Sequence, residues 1–320
     1  MNIVRVALAV PLPRFFDYLY SPDLTPIVGG RVLVPFGSQK RVGIVVDLPA
    51  SSDVAKEKLK PIIDVLDAES LFNSTTWDWL AWSANYYRAA LGDVLFQALP
   101  VKLRNGESAV KNDRTFWRIT DLGKQALESG ELKRAKKQIE ALNLLLTQDL
   151  EKGNNEISSA IWSALKGKDY VEEIIVPTEQ KSWQQALGDN PLVNLDNRLT
   201  LNKQQALAFS QLLFQEGFNV WLLEGVTGSG KTEIYLQYIE EVLKKGKQVL
   251  VLVPEIGLTP QTVRRFQARF NVEIDVLHSN LNDTQRLNVW ERARTGQSAI
   301  VIGTRSALFT QFSDLGLIIL

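Results

Sequence analysis

Gly225, Val226, Thr227, Gly228, Ser229, Gly230, Lys231 and Thr232 follow the spacing Gly-x4-Gly-Lys-Thr. Three glycines let a backbone wrap closely enough for several N–H groups to converge on phosphate oxygens. A helix starting at the end of such a loop adds its positive N-terminal dipole. Lys231 then reaches the β- and γ-phosphates, and the Thr232 hydroxyl ligates Mg²⁺. The chemistry read here is binding of Mg-ATP or a close nucleotide relative, by Gly225, Thr227, Gly228, Ser229, Gly230, Lys231 and Thr232. The plainer alternative is a glycine-rich turn with a solvated lysine.

Two further groups of residues stand where apolar runs end. The run 247–253 leads into Pro254-Glu-Ile-Gly-Leu-Thr-Pro260, and the run 298–302 leads into Gly303-Thr-Arg-Ser306. Small hydroxyl residues, a glycine and a guanidinium suit grasping a phosphodiester backbone without reading bases. Thr259, Gly303, Thr304, Arg305 and Ser306 are therefore candidate DNA contacts. Alternatively, Thr259 caps a helix and Arg305 pairs with a surface carboxylate.

These loops need a parallel α/β sheet, because loops at strand C-termini line its ligand crevice. The text after residue 199 alternates apolar strands with long helices, as such a sheet requires. Residues 220–223 read as a buried strand entering the phosphate loop, and 233–243 as the helix leaving it. Earlier in the chain, 3–10, 31–34 and 42–48 are Val-rich runs bounded by Pro and Gly, the signal of a small β-rich domain. A helix over 75–89 is capped by Asn73 or Ser74, and a shorter one runs from 92 to about 100. Lys102, Arg104, Lys111, Arg114 and Arg118 form a basic stretch. A strand at 115–119, helices at 121–128, 134–148 and 156–166, and a strand at 170–176 suggest a winged-helix module. The polar, Gln-rich stretch 177–191 reads as a linker.

The expected fold is thus multidomain α/β: a β-rich DNA-binding domain at 1–105, a winged-helix-like domain at 106–176, a linker at 177–197 and a P-loop lobe at 198–320. Hydrophobic residues at 45% and charged residues at 22% fit a globular protein. No run of about 18 apolar residues is present, and the first residues lack a secretory signal. Zero Cys and one His leave little for a protein-built metal site and favour a cytoplasmic setting.

The runs Gly225-Val-Thr-Gly-Ser-Gly-Lys-Thr-Glu-Ile-Tyr235, Leu252-Val-Pro-Glu-Ile-Gly-Leu-Thr-Pro-Gln-Thr262, Leu277-His-Ser279 and Ile302-Gly-Thr-Arg-Ser-Ala-Leu-Phe309 resemble the PriA family, primosomal protein N′. So do Val10-Pro-Leu-Pro-Arg-Phe-Phe-Asp-Tyr18, Val34-Pro-Phe-Gly37 and Gly92-Asp-Val-Leu95. The resemblance covers the whole chain, departing at Ala90, where the family has Pro. It implies an ATP-dependent 3′→5′ superfamily 2 DNA helicase of replication restart that recognises stalled forks and starts primosome assembly. It also implies RecA-like lobes and a domain that captures the 3′-OH of the leading strand through Phe16, Asp17, Gly37 and Lys60. An unpaired Asp17 carboxylate could accept the terminal hydroxyl's hydrogen bond; by residue type alone, Asp17 is a turn residue and Phe16 core. Gln205, in Leu201-Asn-Lys-Gln-Gln205, is the implied adenine contact. His278 and Ser279 are read equally as DNA contacts or as a core-facing loop.

The implied cofactors are ATP and Mg²⁺, plus zinc on family cysteines that this chain does not contain. The implied partners are forked and single-stranded DNA, single-strand DNA-binding protein and other primosome proteins, with no membrane. Family members continue past Leu320 into Asp-Glu-Glu-His, so the chain reads as a fragment that binds ATP without turning it over. Trp77, Trp79, Trp82, Tyr86 and Tyr87 are read as core-packing rather than base-stacking residues. Lys133, Arg134, Lys136 and Lys137 either face phosphates or form a solvated helix face. Glu240–Lys244 and Glu241–Lys245 are read as i,i+4 pairs on an exposed helix.

Overall fold

In the computed structural model the described residues are 2–109, 114–129, 132, 135–152, 157–176, 181–213 and 217–320, with backbone alone at Arg114 and Glu151. Packing divides the chain into two compact units, Met1–Ala109 with Lys181–Leu320, and Val110–Gln180.

The larger unit opens with β1 (Ile3–Leu8), β2 (Phe16–Leu19), β3 (Arg31–Phe36), β4 (Gln39–Asp47) and β5 (Asp64–Val65). They form one antiparallel sheet in the order β2-β1-β4-β3-β5. β1 buries Val4, Val6 and Leu8 on one face and Ile3 and Ala7 beside Arg5 on the other. Val4, Val6 and Leu8 join a core with Tyr18, Val32 and Val34. Helices α1 (Ser74–Tyr86), α2 (Leu91–Gln97) and α3 (Val101–Arg104) follow. α2 lies so close to β1 that a Cβ on Gly92 would stand 2.0 Å from the Leu8 carbonyl oxygen. Arg31, fully buried, pins α3: its guanidinium binds both Asp67 oxygens (2.7 and 2.8 Å) and the carbonyls of Leu103 and Glu107.

Asn73 caps α1, as expected, by accepting from Thr76 N–H at 2.8 Å. The core assignment of its aromatics is corrected. Trp77 packs edge-on against Phe72, and Trp79 packs against Phe309. Trp82, Tyr86 and Tyr87, however, are 55, 64 and 73% exposed. At about 100° per residue, Trp79, Trp82 and Tyr86 do share a face, but the buried face is that of Leu80 and Ala84. Spacing fixes which residues stand together, not which side the core lies on.

The smaller unit contains β6 (Arg114–Ile119), α4 (Asp121–Glu128), α5 (Lys136–Thr147), β7 (Leu150–Glu151), α6 (Ser159–Lys166) and β8 (Val171–Val176). Its antiparallel sheet has the order β7-β6-β8, and Trp117 stacks on Trp162 at 5.3 Å in the core. Lys136 and Lys137 are exposed at the start of α5. Lys111, Lys133 and Arg134 lie outside the described residues.

The rest of the larger unit comprises α7 (Trp183–Leu187), α8 (Lys203–Leu213), α9 (Lys231–Lys244), β9 (Gln248–Leu252), α10 (Pro260–Arg269), β10 (Ile274–Leu277), α11 (Asp283–Arg294), β11 (Ile300–Gly303) and β12 (Leu315–Ile319). Its strands pair in parallel in the order β10-β11-β9-β12.

Three sequence expectations fail here. Within the linker range, 177–180 lie outside the described residues, and beyond them Trp183 is buried in the lobe core on a helix with a capping box. Residues 220–223 form no strand, and Val220, Trp221 and Leu222 are open to solvent, at 83, 45 and 90% exposure. An isolated apolar run has no ladder to satisfy its backbone, and the sheet ends at β12 without reaching it. Glu240, expected on an exposed face, is buried and paired with Lys244 and Arg198.

Candidate nucleotide and DNA interface

The phosphate loop ends in two glycines with left-handed backbones, Gly228 (φ 82°) and Gly230 (φ 84°). Gly230 is the N-cap of α9, so the loop turns directly into the helix and aims the helix's unpaired N–H groups at the loop. A side chain at 230 would also collide with Gln205, whose Nε2 would be 2.3 Å from the new Cβ. Lys231 donates to the carbonyls of Gly225 and Val226. Gln205 is committed on two sides. Its Oε1 accepts from Asn202 N–H in the reciprocal cap of α8, and its Nε2 donates to the Ser229 carbonyl at 2.8 Å. One amide hydrogen and one lone pair remain for an adenine edge.

Behind the loop is a polar network that sequence reasoning missed. Glu233, in the first turn of α9, accepts from Gln237 (2.8 Å) and from Arg269 (2.9 Å). Arg269, 1% exposed at the end of α10, also donates to the Asn197 carbonyl. No local signal marks it, because Glu233 and Gln237 stand four apart on α9 and read as a polar helix face.

Parallel pairing brings the ends of β9, β10 and β11 to one edge, which gathers the three candidate loops. Thr259 caps α10 by accepting from Thr262 N–H. A Cβ on Gly303 would meet Ala307 at 2.5 Å, so the turn after β11 is closed to larger residues. The Thr304 carbonyl accepts from Ala307 N–H. Arg305, 92% exposed, pairs with Glu255 at 3.3 Å and so links the two loops. The Glu255 carboxyl lies below its usual range, first through a backbone hydrogen bond and then through Arg305. In this state Thr259 caps and Arg305 pairs, as the plainer readings have it. Ser306 is exposed beside them. His278 Nδ1 accepts from Asn280 N–H, and Arg286 donates to the carbonyls of His278 and Ser279.

In the β-rich domain the four candidate end-binding residues are not all brought together. Phe16 packs edge-on against Phe36 at 5.2 Å, which places it beside the turn at Gly37. Gly37 has φ 61° and open space around it, so its backbone and not crowding asks for glycine. Asp17, next along the strand, faces the opposite way. The expected unpaired carboxylate is corrected. Arg5 donates to both Asp17 oxygens at 2.8 and 3.0 Å, and Ser52 donates to Oδ2 at 2.6 Å. These bonds, led by Arg5, hold the carboxyl below its ordinary range against a smaller opposing effect of burial. Lys60 is exposed, and its carbonyl accepts from Leu19 N–H.

Residues 5–100 match the family model of a 3′DNA-binding domain, and residues 202–320 that of a DEAD/DEAH box helicase. The replication restart protein PriA of Haemophilus influenzae is 76% identical over 320 residues, covering all of this chain and 44% of that protein. The PriA proteins of Buchnera aphidicola from Acyrthosiphon pisum and of Synechocystis are 35 and 33% identical, with 43 and 47% of their lengths covered. The chain thus spans less than half the length of these relatives. With a DNA-binding domain followed by a helicase domain, it belongs to the PriA family of replication restart proteins.

Proposed function

We propose that this chain supplies the DNA-capturing and ATP-binding parts of a 3′→5′ DNA helicase that acts at stalled forks in the cytoplasm and starts primosome assembly. The observation that carries this is the single edge of the parallel sheet. The Thr259, His278 and Thr304-Arg305-Ser306 loops gather there beside β9, on which the helix of the phosphate loop packs. The residues fit Mg-ATP: two left-handed glycines leave the start of α9 open to phosphate oxygens, with Thr232 in its first turn. Lys231 would leave the carbonyls of Gly225 and Val226 for the β- and γ-phosphates, and the Thr232 hydroxyl would take Mg²⁺. Bound ATP supplies the free energy of phosphoryl transfer to water. Thr259, Gly303, Thr304, Arg305 and Ser306 hold the strand's backbone, with Arg305 exchanging Glu255 for phosphate. Phe16, Gly37 and Lys60 border a strand's 3′ end. Asp17 Oδ1 keeps a lone pair for a terminal hydroxyl. Among the described residues no cluster of side chains could hold zinc; single-strand DNA-binding protein and other primosome proteins are the partners proposed.

A second reading, binding of ATP and fork DNA without turnover by this chain alone, is favoured by the phosphate loop's inlet. Val220, Trp221 and Leu222 are exposed and 220–223 form no strand, so no sheet strand anchors the entry to the loop as preorganised catalysis needs.

The first test titrates a fluorescent ATP analogue into the chain and into Lys231→Ala. A loss of at least about tenfold in affinity is expected, since a charge-assisted phosphate contact is removed; unchanged affinity would overturn the nucleotide site. DNA-stimulated hydrolysis at helicase rates by this chain alone would rule out the second reading. For end capture, forks ending in a 3′-hydroxyl and a 3′-phosphate are compared with and without Asp17→Ala. Four equal affinities would refute it.

A further inference from the structure

Between α3 of the β-rich domain and α11 of the lobe lies a cavity of about 230 Å³. That is far more than one bridging water needs. Arg104, Asp283, Arg286, Trp290, Ser306 and Phe309 are among the residues lining it.

Its two guanidiniums are held in place but not neutralised. Arg104 donates from Nε to the Leu99 carbonyl (2.7 Å) and from Nη2 to that of Gln97 (3.1 Å). Arg286 donates from Nε to the Leu281 carbonyl and from Nη2 to those of His278 and Ser279. Carbonyls accept hydrogen bonds without cancelling charge, and among the described residues neither arginine makes an ion pair. Among the described residues the Nη1 groups of both make no hydrogen bond. Asp283 is the one acid lining the cavity and reaches Arg104 only through its field, while burial acts on Arg104 more strongly and disfavours its charge. Trp290, 4% exposed, lines the cavity with its indole N–H buried away from the open space. Two half-exposed guanidiniums, fixed by carbonyls and without a carboxylate partner, suit a ligand with acceptor oxygens and negative charge.

A phosphate group has that chemistry, and Arg is suited to recognising it. The cavity is continuous with the strand-gripping loop, because Ser306 and Phe309 line it directly after Arg305. We propose that this cavity seats a backbone phosphate of the single strand as it leaves Arg305 and Ser306, bound by Arg104 and Arg286 beside the Trp290 ring. The β-rich domain then shares the strand path with the lobe through α3, a contact distinct from its end-binding face. This inference rests on the DNA-binding reading of the Arg305 loop.

The test uses the 320-residue chain in phosphate-free buffer. The indole N–H resonance of Trp290, assigned with Trp290→Phe, is followed during titration with oligothymidylate and, separately, with inorganic phosphate. Oligonucleotide affinity is measured against salt for the wild type, Arg104→Gln, Arg104→Lys and Arg305→Ala. The expected result is that oligothymidylate moves the Trp290 resonance. Arg104→Gln should weaken binding severalfold, equally for thymine and adenine strands, and lower the salt slope by about 0.7, as for one lost single-strand phosphate contact. Arg104→Lys, which keeps the charge, should retain most of the slope and serves if the glutamine variant does not fold. A Trp290 resonance that moves with neither probe, or with inorganic phosphate alone, overturns the inference, as does an unchanged slope in Arg104→Gln. If Arg305→Ala loses DNA while Arg104→Gln does not, the DNA-binding reading stands and this extension of it fails. If the wild type binds no oligonucleotide, the underlying reading fails first.

Discussion

Asp17 is held by three hydrogen bonds from Arg5 and Ser52, so any ligand it serves must share it. The arrangement has a pH signature. The Asp17 carboxyl titrates below its unfolded value, so its contribution to stability is fully present above the ordinary carboxylate range. That contribution is lost as pH falls through the depressed folded-state value. Asp17→Asn should therefore cost about 1.5–3 kcal/mol at neutral pH, the range for hydrogen bonds to a charged group. The difference from wild type should shrink toward zero in strong acid, as urea unfolding at a series of pH values would show. A pH-independent difference would mean that shape, not charge, is at work. The Phe-Asp pair was visible in the sequence. That its members face opposite sides of the sheet, and that Arg5 lies across from Asp17, depends on strand register.

Among the elements, the start of α9 and the end of α10 are joined by Glu233 and Arg269. The phosphate-loop helix is thereby tied to the helix that Thr259 caps. Both side chains are buried, so removing one leaves the other's charge without a partner. Arg269→Met should destabilise the larger unit by about 3–5 kcal/mol, read as a loss of melting temperature by calorimetry, with Glu233→Gln milder because it keeps a hydrogen-bonding group. Equal melting temperatures would deny the network its structural role. Gly230 makes a second prediction at this scale. Its left-handed φ and the close approach of Gln205 mean that Gly230→Ala should lower both stability and ATP-analogue affinity. Unchanged affinity would show that the loop re-forms around the methyl group. The glycine spacing announced this loop from the sequence. The network did not announce itself, because Glu233, Gln237 and Glu240 look like the polar face of a surface helix until α10 and residues 197–199 cover them.

Across the whole molecule, the β-rich domain and the lobe pack as one unit. Gln311, 1% exposed, donates to the Leu71 carbonyl and accepts from Asn73 N–H, while Asn73 donates to the Phe312 carbonyl. Among the described residues, no helix is long and apolar enough to cross a membrane. The open edge of the lobe sheet leaves Phe218, Val220 and Leu222 in solvent. Amide hydrogens at 218–226 should therefore exchange at near-unprotected rates while those of β9 and β11 exchange slowly. Slow exchange at 220–223 would mean that this run is paired after all.

The sequence by itself determined the phosphate loop, the strand-end loops and the order of most helices and strands, because these depend on local backbone preference and spacing. Only the tertiary structure decided which face of α1 is buried, what holds Asp17, whether residues 220–223 have a neighbour, and that α3 and α11 enclose a charged cavity. Each of those is a contact between residues far apart in the chain. Local pattern says what a segment can become, and burial against a distant partner decides what it does.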